Sequence, residues 1–276
     1  MPTSPTTVIN TNILALQAQR RLTLTGLKLG KAIERLSTGL RINRAADDAA
    51  GLSMATRMDS QITGLQRGMQ NVQDAVSLIQ TAEGGIEEIT GILQRMRQLA
   101  VQAATDTLTA EQRQSIKEEL DRLSESLTQI ALNTKYNTLT LLDGSVTIMT
   151  VQFGANTNEV KAFTLAAMTA GALGVDGLTV SSLTFAQAAI SLVDAAIGTV
   201  SAFRARLGAH QNAFERLMSN VSTQVENLTQ AVSRIRDLDV AAETVNYTRL
   251  QILQQSGLAV LVQATQLPAG VLNLVR

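Results

Sequence analysis

ISLVDAAIGTVSAFRARLGAHQNAFERLMSNVSTQVENLTQAVSRI, residues 190–235, is the stretch whose spacing decides the fold. Ile190, Val193, Ile197, Val200, Arg204, Leu207, Gln211, Phe214, Met218, Val221, Val225, Leu228, Val232 and Ile235 follow one another in steps of three and four, and only Arg204 and Gln211 are polar. A 3.5-residue apolar repeat held over about six heptads is the seam of a coiled coil. A second frame follows at Leu250, Leu253, Gly257, Val260, Ala264 and Leu267. The three prolines are Pro2, Pro5 and Pro268, so the residue that most effectively breaks helices is missing from 6–267.

The N-terminal half mirrors this pattern. Leu22, Gly26, Leu29, Ile33, Leu36 and Leu40 make one stripe, and Met58, Ile62, Leu65, Met69, Val72, Val76 and Ile79 another. Past Gly84-Gly85 the frame resumes at Ile86, Ile89, Leu93, Met96 and Ala100, with a stammer between the two that would overwind the pairing. Ile116, Leu120, Leu123, Leu127 and Ile130 predict a further helix, opened by a Thr109–Gln112 capping box. Between about 137 and 182 the pattern turns strand-like: Asp143-Gly144 is a turn signal, VTIMTVQFGAN alternates, and KAFTL and GLTV suggest further strands.

Length then argues shape. An unbroken helix over 187–265 would extend roughly 115 Å, whereas a globule of this size has a radius of gyration of about 19 Å. The expectation is a mainly α fold: an elongated antiparallel coiled-coil rod with a small β-hairpin region and the N- and C-terminal helices paired. The terminal stripes, around 9–40 and 250–267, have at most one partner within the chain, and exposed apolar stripes of that length mark a surface covered by another copy. A lone amphipathic helix is marginal without a partner, so the ends are expected to order on assembly.

Chemistry finds little foothold. Twenty-three basic residues balance 23 acidic ones, so no basic footprint points to nucleic acid. No apolar run approaches the roughly 18 residues of a membrane span, and no basic-then-apolar start suggests a cleavable signal. Cysteine is absent and His210 is the only histidine, which removes disulfides, thiolate metal sites and any two-histidine site. His210 is expected to be solvated. Asp47-Asp48 diverge by about 100° on a helix, so charge pairing with Arg41 and Arg44 is preferred over acid–base chemistry. The Gly26–Ala32 echo of a phosphate loop lacks the Ser or Thr that holds magnesium. The sequons at Asn220, Asn227 and Asn246 fall in predicted helices, and Met54, Met58, Met69, Met96 and Met218 read as seam packing. No catalytic residue, metal or cofactor is expected.

Several long strings, in order, resemble the bacterial flagellin family: VINTNILAL, IERLSTGLRINRAADDAAGLSMATRM, NVQDAVSLIQTAEGGIEEITGILQRMRQLAVQAA, TKYNTLTLLDGS, VQFGAN, and RIRDLDVAAETVNYTRLQILQQSGLAVLVQATQLPAGVLNLVR. The resemblance spans 8–156 and 185–276 and departs from the family pattern at Ala46, Gln98, Asn137-Thr138, Gln266–Ala269 and Leu274-Val275-Arg276. It implies a non-enzymatic subunit that self-assembles into the extracellular filament of swimming bacteria, with residues 1–45 and 236–276 as an inner layer and 46–235 as an outer layer carrying the hairpin region at 138–182. No large surface domain is inserted. The implied partners are further copies of the chain, a cap protein, hook-associated proteins, and an export chaperone at the C-terminal segment; export is through the type III apparatus, with neither nucleic acid nor membrane as partner. Subunit-contact candidates are Ile13, Leu29, Ile33, Leu36, Leu40, Arg41, Arg44, Asp47, Asp48, Leu253, Val260 and Leu267. QRMRQLAVQ resembles the segment read by an innate receptor, Toll-like receptor 5, with Arg95, Leu99 and Glu119 as contacts. The alternative within this resemblance is a hook–filament junction protein.

Overall fold

The computed structural model describes residues 11–274, with side chains to residue 266. Pro2, Pro5 and the Leu267 side chain therefore lie outside the described residues. The chain forms two compact units, Met1–Asp59 with Leu228–Arg276, and Ser60–Asn227.

In the first unit, helix α1 (Ile13–Thr38) starts where the Asn12 side chain accepts from the Ala15 N–H. It stops at Gly39, whose φ of 70° suits glycine and whose N–H bonds to the Arg35 carbonyl. Helix α6 (Val240–Leu274) lies antiparallel to it: Asn12 Nδ2 donates to the Ala264 carbonyl at 2.6 Å, Leu22 packs on Gly257, and Leu40 forms a β-bridge with Asp237. That bridge is tied by Arg41 N–H to Arg236 O (2.7 Å) and Leu238 N–H to Gly39 O (3.0 Å). The expected unbroken helix over 187–265 is thus two, α5 (Leu183–Arg236) and α6, interrupted at 237–239. The interruption needs no proline: the backbone pairs with the segment after α1, and the Asp239 side chain accepts from the Ala242 N–H to start α6.

The second unit is built on α2 (Ala49–Ala103), α3 (Ala110–Asn133) and α5, of which α2 and α5 also contribute to the first. Arg97–Asp194 (2.6 Å) and Arg204–Glu83 (3.0 Å) pair α2 with α5 in antiparallel sense. The α2 helix runs unbroken through Gly84-Gly85, and there is no stammer. Its inward line is Leu65, Gly68, Val72, Ala75, Ile79, Ala82, Ile86, Ile89, Leu93, Met96, Ala100 and Ala103, in strictly alternating steps of three and four, with Ala55, Leu78 and Leu99 buried besides. On α5 the buried line is Ala186, Ala189, Val193, Ala196, Val200, Phe203, Leu207, Phe214 and Val221. Ile190 and Ile197 sit at its edge. The period is the predicted one, but small residues occupy the contact and the larger neighbours lie beside it. Helix α3 opens with the expected reciprocal Thr109–Gln112 box. Arg113, largely buried, donates to Ala103 O (2.7 Å) and Thr105 O (2.6 Å), closing the end of α2.

The region after α3 holds two antiparallel strand pairs. Strands β1 (Lys135–Tyr136) and β2 (Leu139–Thr140) flank a two-residue turn with Asn137 at φ 55°. Strands β3 (Ile148–Gln152) and β4 (Val160–Thr164) pair from Ile148↔Thr164 to Gln152↔Val160. GLTV, expected as a strand, is irregular, with Leu178 and Val180 buried, and a single helical turn, α4 (Ala170–Leu173), precedes it. Phe163 of β4 meets Phe214 edge-on at 5.7 Å and His210 at 6.0 Å. His210 is therefore half-buried against the hairpin rather than solvated. Met54 is exposed, unlike the seam methionine Met96. By length and composition α5 could cross a membrane, with an 18-residue window of mean hydropathy 1.5, of which 28% is buried within the fold.

Candidate interaction surface

Helix α6 turns Tyr247, Leu250, Gln254, Gly257, Leu261 and Ala264 inward. Leu250 and Ala264 are buried. That line satisfies α1 and leaves a surplus: Leu253 stays 51% exposed, Val260 53% and Val245 72%, alongside Ile252, Leu258 and Val262. On α1 the same holds for Ile13, Leu14, Leu16, Leu24, Leu27 and Ile33. Removing such half-exposed aliphatic side chains from water is worth about 1 kcal/mol each. Covering most of them would offset the roughly 4–15 kcal/mol lost on association.

The subunit-contact candidates therefore divide. Ile13, Ile33, Leu253 and Val260 remain about half exposed. Leu29, Leu36 and Leu40 are half-buried, and Leu40 is engaged in the bridge to Asp237. Leu267 lies outside the described side chains.

The charged candidates do not pair as expected. Asp47 bonds Lys31 at 2.5 Å and also accepts from the backbone N–H groups of Arg44 and Asn43 at 3.3 Å. The Lys31 bond, foremost among these, holds the Asp47 carboxyl at about 2, below its ordinary 3.8. Asp48 accepts from the Gly51 N–H at 2.9 Å and so starts α2. Arg44 pairs with Glu34 at 2.9 Å, and Arg41 donates to the carbonyls of Arg234 and Ile235 at the end of α5. Each side chain holds a helix end or ties the junction segment in place; the arginines and aspartates do not form side-chain pairs with one another.

The receptor candidates are also rearranged. Arg95 and Glu119 form a half-exposed ion pair at 2.7 Å joining α2 to α3. Leu99 is 2% exposed, in the core, because the α2 line that faces inward at Met96 and Ala100 carries Leu99 in with it. No group of three or more potential metal-ligating side chains occurs among the described residues.

Comparison with known proteins agrees with this architecture. The bacterial flagellin N-terminal helical region matches residues 9–147, and the bacterial flagellin C-terminal helical region matches 190–275. A flagellin of Halalkalibacterium halodurans is 42% identical over 271 residues, covering 98% of this chain and 100% of the relative. The flagellar filament 33 kDa core protein of Treponema phagedenis is 41% identical over 285 residues, with 98% and 100% covered. A flagellar hook-associated protein of Vibrio parahaemolyticus superposes with a TM-score of 0.59 over 69% of this chain and all of that one, at 11% identity, which is a likeness of fold alone. With both helical regions matched in order and relatives aligned from end to end, the chain belongs to the bacterial flagellin family.

Proposed function

We propose that the chain is a structural subunit that self-assembles into the bacterial flagellar filament and so serves swimming motility. The observation that carries this reading is the apolar surplus on α1 and α6: Ile13, Leu27, Ile33, Leu253 and Val260 remain exposed after the two helices have paired, and further copies are the natural cover. Identical units repeating about an axis without closure give an open filament. Flagellins are structural proteins, and a filament component is exposed outside the cell. The hook–filament junction alternative shares the fold, but the end-to-end relatives at about 40% identity are a flagellin and a filament core protein.

Finer features belong to the same proposal. Residues 1–45 and 236–276 form the inner layer and order on assembly; residues 46–235 form the outer layer. Interruption of the helices at 39–48 and 237–239 supports boundaries near these positions, although the compact units divide further along α2 and α5. The subunit leaves the cell through the type III apparatus, its C-terminal segment held by an export chaperone, and meets cap and hook-associated proteins at the filament. Recognition by Toll-like receptor 5 would rest on Arg95 and Glu119, without Leu99.

Electron microscopy of salted-out protein tests the central claim. Long filaments are expected, and discrete short oligomers alone would overturn it. Val260→Asp places a charge on the exposed side of α6, so it should abolish polymerisation while leaving monomer helicity intact.

A further inference from the structure

The neutral chain is electrically divided. Residues 1–59 and 228–276 carry twelve Lys and Arg against seven Asp and Glu, leaving eleven against sixteen for 60–227. The first unit also has a place where its excess concentrates. A groove of about 350 Å³ between α1 and α6 is lined by Lys28, Lys31, Arg35 and Arg249, with Glu243 as its one acid. Lys31 is engaged by Asp47. Lys28, Arg35 and Arg249 have no acidic partner among the described residues, and Arg35 Nε is buried without an acceptor.

Helix geometry places Lys28, Lys31 and Arg35 on one face of α1, so this repulsion is built in. Proximity to the C-terminus of α1 explains Arg35 but not Lys28, seven residues earlier, or Arg249 on the other helix. In the second unit, Glu87, Glu88, Asp106 and Glu125 are exposed and have no basic partner among the described residues.

We infer that the α1–α6 groove of a subunit already in the filament is a docking site for carboxylates on the acidic unit of the next copy, so that one step of assembly is steered by charge. This rests on the filament reading above and adds a charged, directional contact to the apolar ones. Complementary potentials raise association rates by tenfold or more at low ionic strength and lose that gain as salt rises.

The test is seeded elongation of the full chain on preformed wild-type filaments across a series of sodium chloride concentrations. Wild-type elongation should slow as salt increases. Lys28→Gln with Arg249→Gln, both in segments that order on assembly and so without effect on the monomer's circular dichroism, should elongate about tenfold more slowly at low salt and be nearly salt-independent. A control, Arg20→Gln with Arg57→Gln, removes the same charge from the same unit outside the groove and should elongate like wild type. The inference is overturned if the groove variant keeps the wild-type rate and salt dependence, or if the control loses as much. Wild-type protein that fails to add to seeds would instead strike at the filament reading itself.

Discussion

Substituting alanine for Gly84 and then for Gly85 places two identical changes one residue apart in the middle of α2, and their effects on stability should differ in sign. In the helix interior each replacement gains about 1 kcal/mol, because alanine has less conformational freedom to lose on folding. At Gly84 that gain is undiminished: a Cβ there would meet nothing within 4 Å. At Gly85 it would lie 2.5 Å from Thr134 Oγ1, 2.9 Å from Thr134 Cγ2 and 3.0 Å from Leu142 Cδ1. Thr134 cannot swing aside freely, since its hydroxyl donates to the Ile130 carbonyl at 2.7 Å at the end of α3. Giving up that bond costs about 0.5–1.5 kcal/mol, and the remaining crowding against a packed core brings the penalty to about 1–3 kcal/mol. Gly84→Ala should therefore be about 1 kcal/mol more stable than wild type, and Gly85→Ala about 0–2 kcal/mol less. The two unfolded chains are nearly equivalent, so the gap isolates the native contact. Urea unfolding followed by circular dichroism reads it as a shift in midpoint at constant slope. Equal stabilisation by both substitutions would refute the close approach of α2 to the end of α3.

Arg113→Met should destabilise by about 1–3 kcal/mol in the same assay, because it strands the Ala103 and Thr105 carbonyls that the guanidinium now satisfies. By contrast Arg97→Ala should change stability by less than about 1 kcal/mol, its pair with Asp194 being half-exposed on both sides. Gly68→Ala would drive a Cβ into the Phe153 carbonyl; faster amide exchange across 153–159 is expected, and unchanged exchange would show that the loop does not rest on α2 there. Asp47 titrates at about 2 when folded, with the Lys31 bond as the main cause. Its folded value lies below its unfolded one, so its contribution is complete above the ordinary 3.8 and disappears as pH falls toward about 2. Amides of Asn43 and Arg44 should lose protection across that window in wild type, and an Asp47→Asn variant should show no such transition.

The helices and their 3.5-residue period were legible because apolar spacing registers any face that must leave water. The phase was less so. Counting large residues selects Ile190 and Ile197 on α5 and Met69 and Val76 on α2, whereas the structure buries Ala189, Ala196, Gly68 and Ala75. Small residues let two backbones approach, and the larger side chain beside each then lies along the rim. The misplaced stammer follows from the same counting, since Ala75 and Ala82 complete a regular frame. The burial of His210 has a related cause: it sits one position from Gln211, on the inward line between Leu207 and Phe214, where the hairpin supplies Phe163 as a neighbour. The break at 237–239 left only Asp239 as a local signal. Its cause is a backbone pairing with Leu40, almost two hundred residues away, and local periodicity carries no trace of that.

For the interaction surface the reverse is true: the informative signal was an excess in the sequence. Leu250, Gly257 and Ala264 repeat every seven residues and suffice, with Gln254 and Leu261 between them, to meet α1. Leu253 and Val260 repeat at the same interval but stay about half exposed at the edge of that contact. A helix with one intramolecular partner needs one apolar line, and additional lines cost solubility and raise the risk of nonspecific association unless something covers them. Thus α6 carries more apolar positions than a two-helix pairing can use. That mismatch, legible in the sequence itself, is the physical reason to expect a second copy over its exposed apolar positions.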